Sequence, residues 1–422
     1  MLLRIGSRGS PVSLLQLGLN RAGFDPGPPD GVFGPLTRAS VFRFQRSFGL
    51  LQDGIYGPRT EAALAPWLRG YVLHTVRSGD SLYRLSRQYG TTLAAVETAN
   101  PGLDPFALRI GSSLVIPFAF PVVPTDIPMS SALFAYCAEG LQARYPFLRT
   151  EVIGQSVLGR PLTAFEIGWG SRRVLYNAAH HANEYITSVL LLRFLELLCS
   201  AYAADLPMEG FSVRELLSLS RLSLVPLVNP DGVDLVTGAL EPAQLRAPEA
   251  ISAAYPAIPF PDGWKANISG VDLNLQYPAG WEQARENKFA LGFTSPAPSD
   301  FVGTAPLSQP ESAAMADFTR RTDPLLTLSY HTQGAVIYWK YLDIEPPGSA
   351  ELVRRFSAVS GYSAEDVPFS SGFAGYKDWF ISEWNRPGFT VEAGRGVNPL
   401  PLSQLPEMLR DNLGLLLLAL QG

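Results

Sequence analysis

At 422 residues the chain has room for two to four domains, at about 100–200 residues each. Hydrophobic residues make up 46% and charged ones 17%, which supplies a core and excludes wholesale disorder. Thirty-three Lys and Arg against 38 Asp and Glu leave a net charge of −5, so no basic excess points to nucleic acid or an anionic membrane. The two cysteines, Cys137 and Cys199, exclude a disulfide framework and a cysteine-based zinc site. No apolar run follows a basic start at the N-terminus, so no secretory signal is read. Residues 186–198 are apolar but carry Arg193 and Glu196 and fall short of the ~20 residues that span a bilayer. They read as a core helix.

The chain begins with a repeat. Residues 29–39, with Asp30-Gly31-Val32-Phe33-Gly34-Pro35, return at 52–62 as Asp53-Gly54-Ile55-Tyr56-Gly57-Pro58. In each copy Asp-Gly predicts a tight turn, and the second glycine a backbone position that a side chain would crowd. Thr37 and Thr60 sit where a helix N-cap is expected. A small all-α repeat domain over 1–68 follows. Both turn elements, with Leu15-Gln16 and Phe44-Gln45, resemble the peptidoglycan-binding helical domain of bacterial wall hydrolases.

Residues 71–118 show a strand-helix-helix-strand rhythm. Ser81 and Thr92 precede helices, Gly90 closes the first, and Leu114-Val115-Ile116-Pro117 is a terminal strand. The ordered elements Val76-x-x-Gly79-Asp80-Ser81-Leu82, Tyr89-Gly90-Thr91-Thr92, Ala99-Asn100-Pro101 and Leu114-x-Ile116-Pro117 resemble a LysM domain, a small α+β fold. That resemblance implies a glycan ligand containing N-acetylglucosamine. His74 has no evident acidic or histidine partner and is read as structural. Residues 119–129 are proline-rich and predict a semi-rigid linker.

The large segment 130–422 alternates strand-like runs (174–177, 222–228, 325–330, 388–392) with helices (186–203, 309–321), which predicts an α/β mixed sheet covered on both faces. His181 and Glu184 form an H-x-x-E pair between a strand and a helix. His331 ends another strand. Imidazole, carboxylate and imidazole are ligands a catalytic zinc accepts, with a position left for water. His180, next to the first ligand, is expected as a supporting or surface residue, and Cys199 as inert core.

In order, His181-x-x-Glu184, Asn229-Pro230-Asp231-Gly232, Gly270-Val271-Asp272-Leu273-Asn274, Ser329-Tyr330-His331 and Phe389-Thr390-Val391-Glu392 resemble the zinc carboxypeptidase family. The resemblance implies one Zn²⁺ on His181, Glu184 and His331, and Glu392 as general base. It also implies Asp272 as the residue orienting a zinc histidine, Lys265 as the oxyanion cation and Asn274 as a substrate ligand. Asn274-Leu275 replaces the Asn-Arg that grips a C-terminal carboxylate in ordinary members, which makes a plain carboxypeptidase doubtful. Lys377 and Arg395 are the cations expected to compensate by binding other substrate carboxylates. Together with Trp264-Lys265-Ala266-Asn267 and Tyr376-Lys377-Asp378-Trp379, these departures resemble the γ-D-glutamyl-L-diamino acid endopeptidase subgroup. The implied partner is peptidoglycan, bound through residues 1–118 and cut at the γ-D-glutamyl–meso-diaminopimelate bond. The setting is a bacterial cell envelope or sporulating-cell compartment. The competing readings are a wall-anchored carboxypeptidase on ordinary peptides and an inactive wall-binding protein. Tyr376 and Tyr362 are both candidates for a tyrosine that assists the transition state.

Overall fold

Two glutamines close the N-terminal repeat. In the computed structural model, which describes residues 2–422, helix α1 (Ser10–Arg21) carries Gln16 and α2 (Pro35–Ser47) carries Gln45, with α3 (Pro58–Arg69) completing the set. Gln16 Nε2 donates to Asp30 Oδ1 at 2.9 Å and Thr37 Oγ1 at 3.2 Å, while its Oε1 accepts from Gly31 N at 3.0 Å. Gln45 repeats this with Asp53, Thr60 and Gly54 at 2.9, 3.2 and 2.9 Å. The helix caps depart from expectation. Gly34 and Gly57 are the N-caps, followed by Pro35 and Pro58, which need no N–H at the first helical position. Thr37 and Thr60 lie inside the first turn and point inward to the glutamines. The conformational demand falls on the first glycine of each copy, Gly31 at φ +71° and Gly54 at φ +69°. A Cβ at Gly34 would meet nothing within 4 Å, whereas one at Gly57 would meet Leu2 Cδ2 at 3.0 Å, so the expected crowding holds in the second copy alone. Val12, Leu15, Phe33, Val41, Phe44 and Leu64 form the core.

The next segment pairs β1 (Tyr71–Thr75) antiparallel with β2 (Ser113–Pro117), in register from Tyr71 opposite Pro117 to Thr75 opposite Ser113. Between them lie α4 (Leu82–Tyr89) and α5 (Leu93–Ala99), N-capped by Ser81 and Thr92, with Gly90 at φ +64° ending the first. His74 does have an acidic partner. Its Nε2 lies 2.8 Å from Asp80 Oδ2 and its Nδ1 3.0 Å from the Tyr89 hydroxyl. The turn at 77–80 folds Asp80 back onto the strand. Residues 119–129 are packed rather than free, because Val122, Val123, Ile127 and Met129 are buried. Backbone carbonyls of this stretch accept from Arg21 and Arg144. Helix α6 (Ser131–Arg144) follows, and the first compact unit ends at Arg149.

The second unit, Thr150–Gly422, is built on an eight-stranded sheet. Its first part runs β3 (Arg149–Gln155), β4 (Pro161–Gly168), β5 (Arg172–Ala178), α7 (Ile186–Ala204), a short hairpin β6 (Pro207–Met208) and β7 (Phe211–Ser212), α8 (Val213–Leu219) and β8 (Ser220–Val225). Helices α9 (Pro230–Val236), α10 (Pro242–Ala253), α11 (Trp281–Ala290) and α12 (Pro310–Thr322) lead to β9 (Leu326–His331) and β10 (Val336–Tyr338). The chain ends with α13 (Ser349–Ser360), β11 (Ser363–Glu365), α14 (Tyr376–Trp384), β12 (Gly388–Glu392) and α15 (Leu405–Gln421). The strand order is β11-β10-β12-β9-β5-β8-β4-β3. In the middle, β8, β5, β9 and β12 are mutually parallel neighbours.

Alternation along β5 covers both faces. Tyr176 points to one side, where its hydroxyl donates to the Leu416 carbonyl of α15 at 2.6 Å. Leu175 points to the other and packs in one cluster with Met315 and Phe318 of α12 and Trp379 of α14. α7 is apolar enough to cross a membrane by composition, but it is mostly buried, as a core helix is. Strand β8 stops at Val225, short of the expected 228, because Pro226 cannot donate to the ladder.

Candidate active site

Parallel strands in an open α/β sheet gather their C-terminal ends on one edge, where ligands bind. Here that edge collects His181 after β5, His331 at the end of β9 and Glu392 at the end of β12. Glu392 and His331 are direct register partners. After β5, Ala179 takes a left-handed backbone at φ +54°, a conformation costing about 1–2 kcal/mol for a residue with a Cβ. It is held by Asn229 N donating to its carbonyl at 3.0 Å and by its own N–H on Thr187 Oγ1 at 3.2 Å. The chain then turns through a 3₁₀ stretch, Ala182–Glu184, which brings Glu184 to the same side as His181.

Three side chains converge. His181 Nδ1 is 2.9 Å from Glu184 Oε1, His331 Nδ1 is 3.0 Å from Glu184 Oε2, and the two Nδ1 atoms lie 3.2 Å apart. All three residues are buried, with one ligand atom from each lying within 4.8 Å of the others. Two imidazole nitrogens aimed at each other across a carboxylate call for a cation between them, and this nitrogen and oxygen set fits zinc. Thr332 N and Asn398 Nδ2 donate to the Glu184 oxygens at 3.2 and 3.4 Å and fix its carboxylate. Asp272 Oδ1 lies 3.1 Å from His181 Nε2, on the far side of the ring. Burial opposes charge on His181, but the Glu184 and Asp272 carboxylates outweigh it and push its pKa up to about 10.

The cluster opens into a cleft of about 290 Å³. Glu392 lines it, and its carboxylate has no hydrogen-bond partner among the described residues; burial, then the neighbouring Glu184 charge, push its pKa up to about 8. Lys265 also lines it, with Nζ 3.6 Å from Glu184 Oε1. Asn274 lies on the wall, its Oδ1 accepting from Tyr376 N at 3.0 Å. Lys377 is in the lining although only 3% exposed. Of the residues singled out in the sequence, the cleft thus brings together His181, Asp272, Lys265, Asn274, Lys377 and Glu392, with Glu184 and His331 behind. Arg395 is not among them. It lines a separate cavity with Glu407 and Asp411.

His180 is fully buried, with Nε2 2.9 Å from the Tyr277 hydroxyl and its ring stacked 5.9 Å from that of His331. It packs against His331 and is not a surface residue. Neither candidate tyrosine faces the cleft. Tyr376 is bonded to Thr319 at 2.9 Å in the core, and Tyr362 meets Asn412 and Gly394 N. The tyrosine in the lining is Tyr338, which the register places opposite Thr390. Lys288 of α11 was also missed; it lines the cleft and pairs with Asp300 at 2.5 Å. Asp300, at φ +65°, aims its N–H at Asp272 Oδ2 at 3.3 Å, so this pair braces the residue that holds His181.

The family model for zinc carboxypeptidases matches residues 135–413. The chain belongs to the zinc carboxypeptidase family. It is therefore a metallopeptidase. Models for a peptidoglycan-binding domain and a LysM domain match residues 8–64 and 74–117. The chain is 46% identical over 280 residues to gamma-D-glutamyl-L-diamino acid endopeptidase 1 of Lysinibacillus sphaericus, covering 66% of this chain and 69% of that one. It is 41% identical over 278 residues to an uncharacterised Bacillus subtilis protein, YqgT, covering 65% and 73%. Among solved structures, bovine thrombin-activatable fibrinolysis inhibitor aligns with a TM-score of 0.56 at 20% identity, covering 70% of this chain and 97% of that one. That likeness concerns the carboxypeptidase fold.

Proposed function

We propose that this metallopeptidase hydrolyses bacterial wall stem peptides at the γ-D-glutamyl–meso-diaminopimelate bond. The observation that carries the reading is the cleft lining. Leu275 stands where a carboxypeptidase arginine would grip a free C-terminus, while Lys265, Lys288 and Lys377 each stand beside an acid. Without that arginine the lining does not suit an ordinary peptide C-terminus, whereas a substrate carrying both ammonium and carboxylate groups suits its paired charges. The likeness to the Lysinibacillus enzyme and the two wall-binding domains support the same reading.

One zinc ion per catalytic domain, on His181, Glu184 and His331, would supply Lewis acidity and lower the pKa of a bound water. Glu392, whose carboxylate has no hydrogen-bond partner among the described residues, takes the proton of the attacking water and delivers it to the leaving amine. Lys265 places positive charge where the amide oxygen becomes anionic, as a point charge without the arginine fork. Asp272 holds the His181 ring, and Asn274 binds the substrate. Residues 1–118 hold the enzyme to glycan strands and raise the local concentration of stem peptide.

The test is mass spectrometry of L-Ala-γ-D-Glu-meso-diaminopimelate after incubation with zinc-loaded protein. Released diaminopimelate, lost in Glu392→Gln, is the expected result. An intact tripeptide alongside cleavage of ordinary C-terminal residues would overturn it. Glu392→Gln should still co-sediment with purified sacculi; protein left in the supernatant would refute the anchoring role.

A further inference from the structure

Asp300 holds a left-handed backbone, at φ +65°, in a segment pinned on both sides. Before it, Pro298 O accepts from Lys265 N and Ala266 N at 2.8 and 2.9 Å; after it, Phe301 O accepts from Asp272 N at 2.9 Å. A residue with a Cβ stays in that conformation where its surroundings over-determine it, and such residues cluster at functional sites. Here the side chain is held at both oxygens. Lys288, on the inward face of α11 with Trp281 and Ala284, places Nζ 2.5 Å from Oδ1. Ser299 Oγ donates to Oδ2 at 2.8 Å. Lys288 is 8% exposed, so its ammonium has been taken out of water beside this carboxylate.

The left-handed turn decides where one amide points. Asp300 N donates to Asp272 Oδ2 at 3.3 Å, while Phe301 O holds the Asp272 N–H. The other Asp272 oxygen accepts from Asn274 N at 3.1 Å and faces His181 Nε2 at 3.1 Å. With Phe301 fixed, a right-handed backbone at 300 would rotate the peptide plane that carries the Asp300 N–H and take this donor from Asp272. The path from Lys288 to His181 therefore runs through an ion pair, a backbone dihedral, an amide and a carboxylate.

We propose that Lys288 is a positioning residue for the metal site. Its ion pair locks Asp300 in the left-handed conformation, and the amide so placed holds Asp272 against His181 and strengthens the hold on zinc. This rests on the zinc assignment above and is independent of which bond is cut. Acting through space alone, the ammonium would repel a dication, so its removal would tighten zinc binding; acting through Asp300, its removal weakens it. A direct contact of Lys288 with substrate, in the cleft it lines, would leave metal retention unchanged.

The experiment measures the zinc Kd of the full chain by competition with a chromophoric chelator. Lys288→Met should weaken zinc by roughly tenfold, the low end of the loss that follows removal of a ligand's own partner. Glycine adopts a positive φ unaided. Asp300→Gly should therefore stay within about threefold of wild type, and Lys288→Met/Asp300→Gly within about threefold of Asp300→Gly. In the cobalt-substituted proteins the visible absorption, which reports ligand geometry, should change in Lys288→Met and return in the double variant. Melting temperatures show whether each variant folds. Should Lys288→Met fail to fold, Asp300→Ala and Asp300→Gly make the same comparison, because both remove the carboxylate and only the alanine resists φ +65°. The alanine variant should then bind zinc roughly tenfold more weakly than the glycine one. Three results overturn the proposal and leave the zinc assignment standing: unchanged or tighter zinc in Lys288→Met, an undiminished loss in the glycine background, or equal binding by the alanine and glycine variants. A wild type that binds no zinc removes the zinc assignment and this role with it.

Discussion

The repeat turns of the first unit and the cleft of the second treat buried polar groups in opposite ways. Around Gln16 and Gln45, donor meets acceptor in a closed set: one amide serves an aspartate, a threonine and a glycine N–H in each copy. In the cleft, among the described residues, the Glu392 carboxylate has no hydrogen-bond partner, an N–H of Lys377 has no acceptor and two imidazoles face each other across Glu184. Closed networks rigidify a fold, whereas unfilled ones await a ligand. The first pattern identifies structure, the second chemistry.

Substitutions that break each pattern should separate the two. The largest effect is expected from Glu392→Gln, which should lower kcat on the stem tripeptide by roughly 10²–10⁴-fold while the melting temperature stays within a few degrees. A comparable loss of stability would move Glu392 into the structural class. Next is Gln45→Ala, which strands Gly54 N and Thr60 and should cost the first unit about 1–3 kcal/mol in a denaturant titration, with tripeptide kcat/KM unchanged.

Glu311 sharpens the contrast through pH. Burial pushes its pKa up to about 7, against the hydrogen bonds from Val157 N and Asn267. A carboxyl that stays protonated in the fold to about pH 7 but ionises near 4.5 when unfolded binds more protons in the native state across that window. Stability is then lost as pH rises from about 4.5 to 7, on the order of 3 kcal/mol, and the loss is complete above it. Glu311→Gln should flatten that slope in denaturant titrations; an unchanged slope would mean that the acid is already ionised. The smallest effects belong to the turn glycines. Gly31→Ala meets Ser13 Oγ at 2.9 Å in a left-handed backbone and should cost about 1–2 kcal/mol, whereas Gly34→Ala should fall within about 0.5 kcal/mol of wild type.

What was readable in the sequence was local or rare. The repeat, the ends of α4 and α5 and the strands carrying His331 and Glu392 follow from turn residues and apolar runs. With only four histidines in the chain, the placement of two beside strands was informative. What escaped depends on contacts between distant positions. Thr37 read as a cap because Gln16, 21 residues away, is not visible as its partner. Lys288 sits in a helix of charged residues and carries no local sign that Asp300 turns it inward. Arg395 follows the Glu392 strand, yet Gly394 at φ +75° redirects the chain and places it in the other cavity. Lys377 was legible as a cation near the pocket; that Asp378 neutralises it was not, because adjacent helix residues do not ordinarily face one another.

The His181–His331 approach has a polymer consequence. The two residues are 150 positions apart, and everything from α7 to β9 lies on the loop between them. A cation coordinated by both would act as a reversible crosslink. Drawing together chain ends at that separation from an unfolded coil costs about 5 kcal/mol of loop entropy, which the ion would defray only once the central strands are in register. Removing it with a chelator should therefore lower the unfolding temperature of the catalytic domain as well as stop turnover.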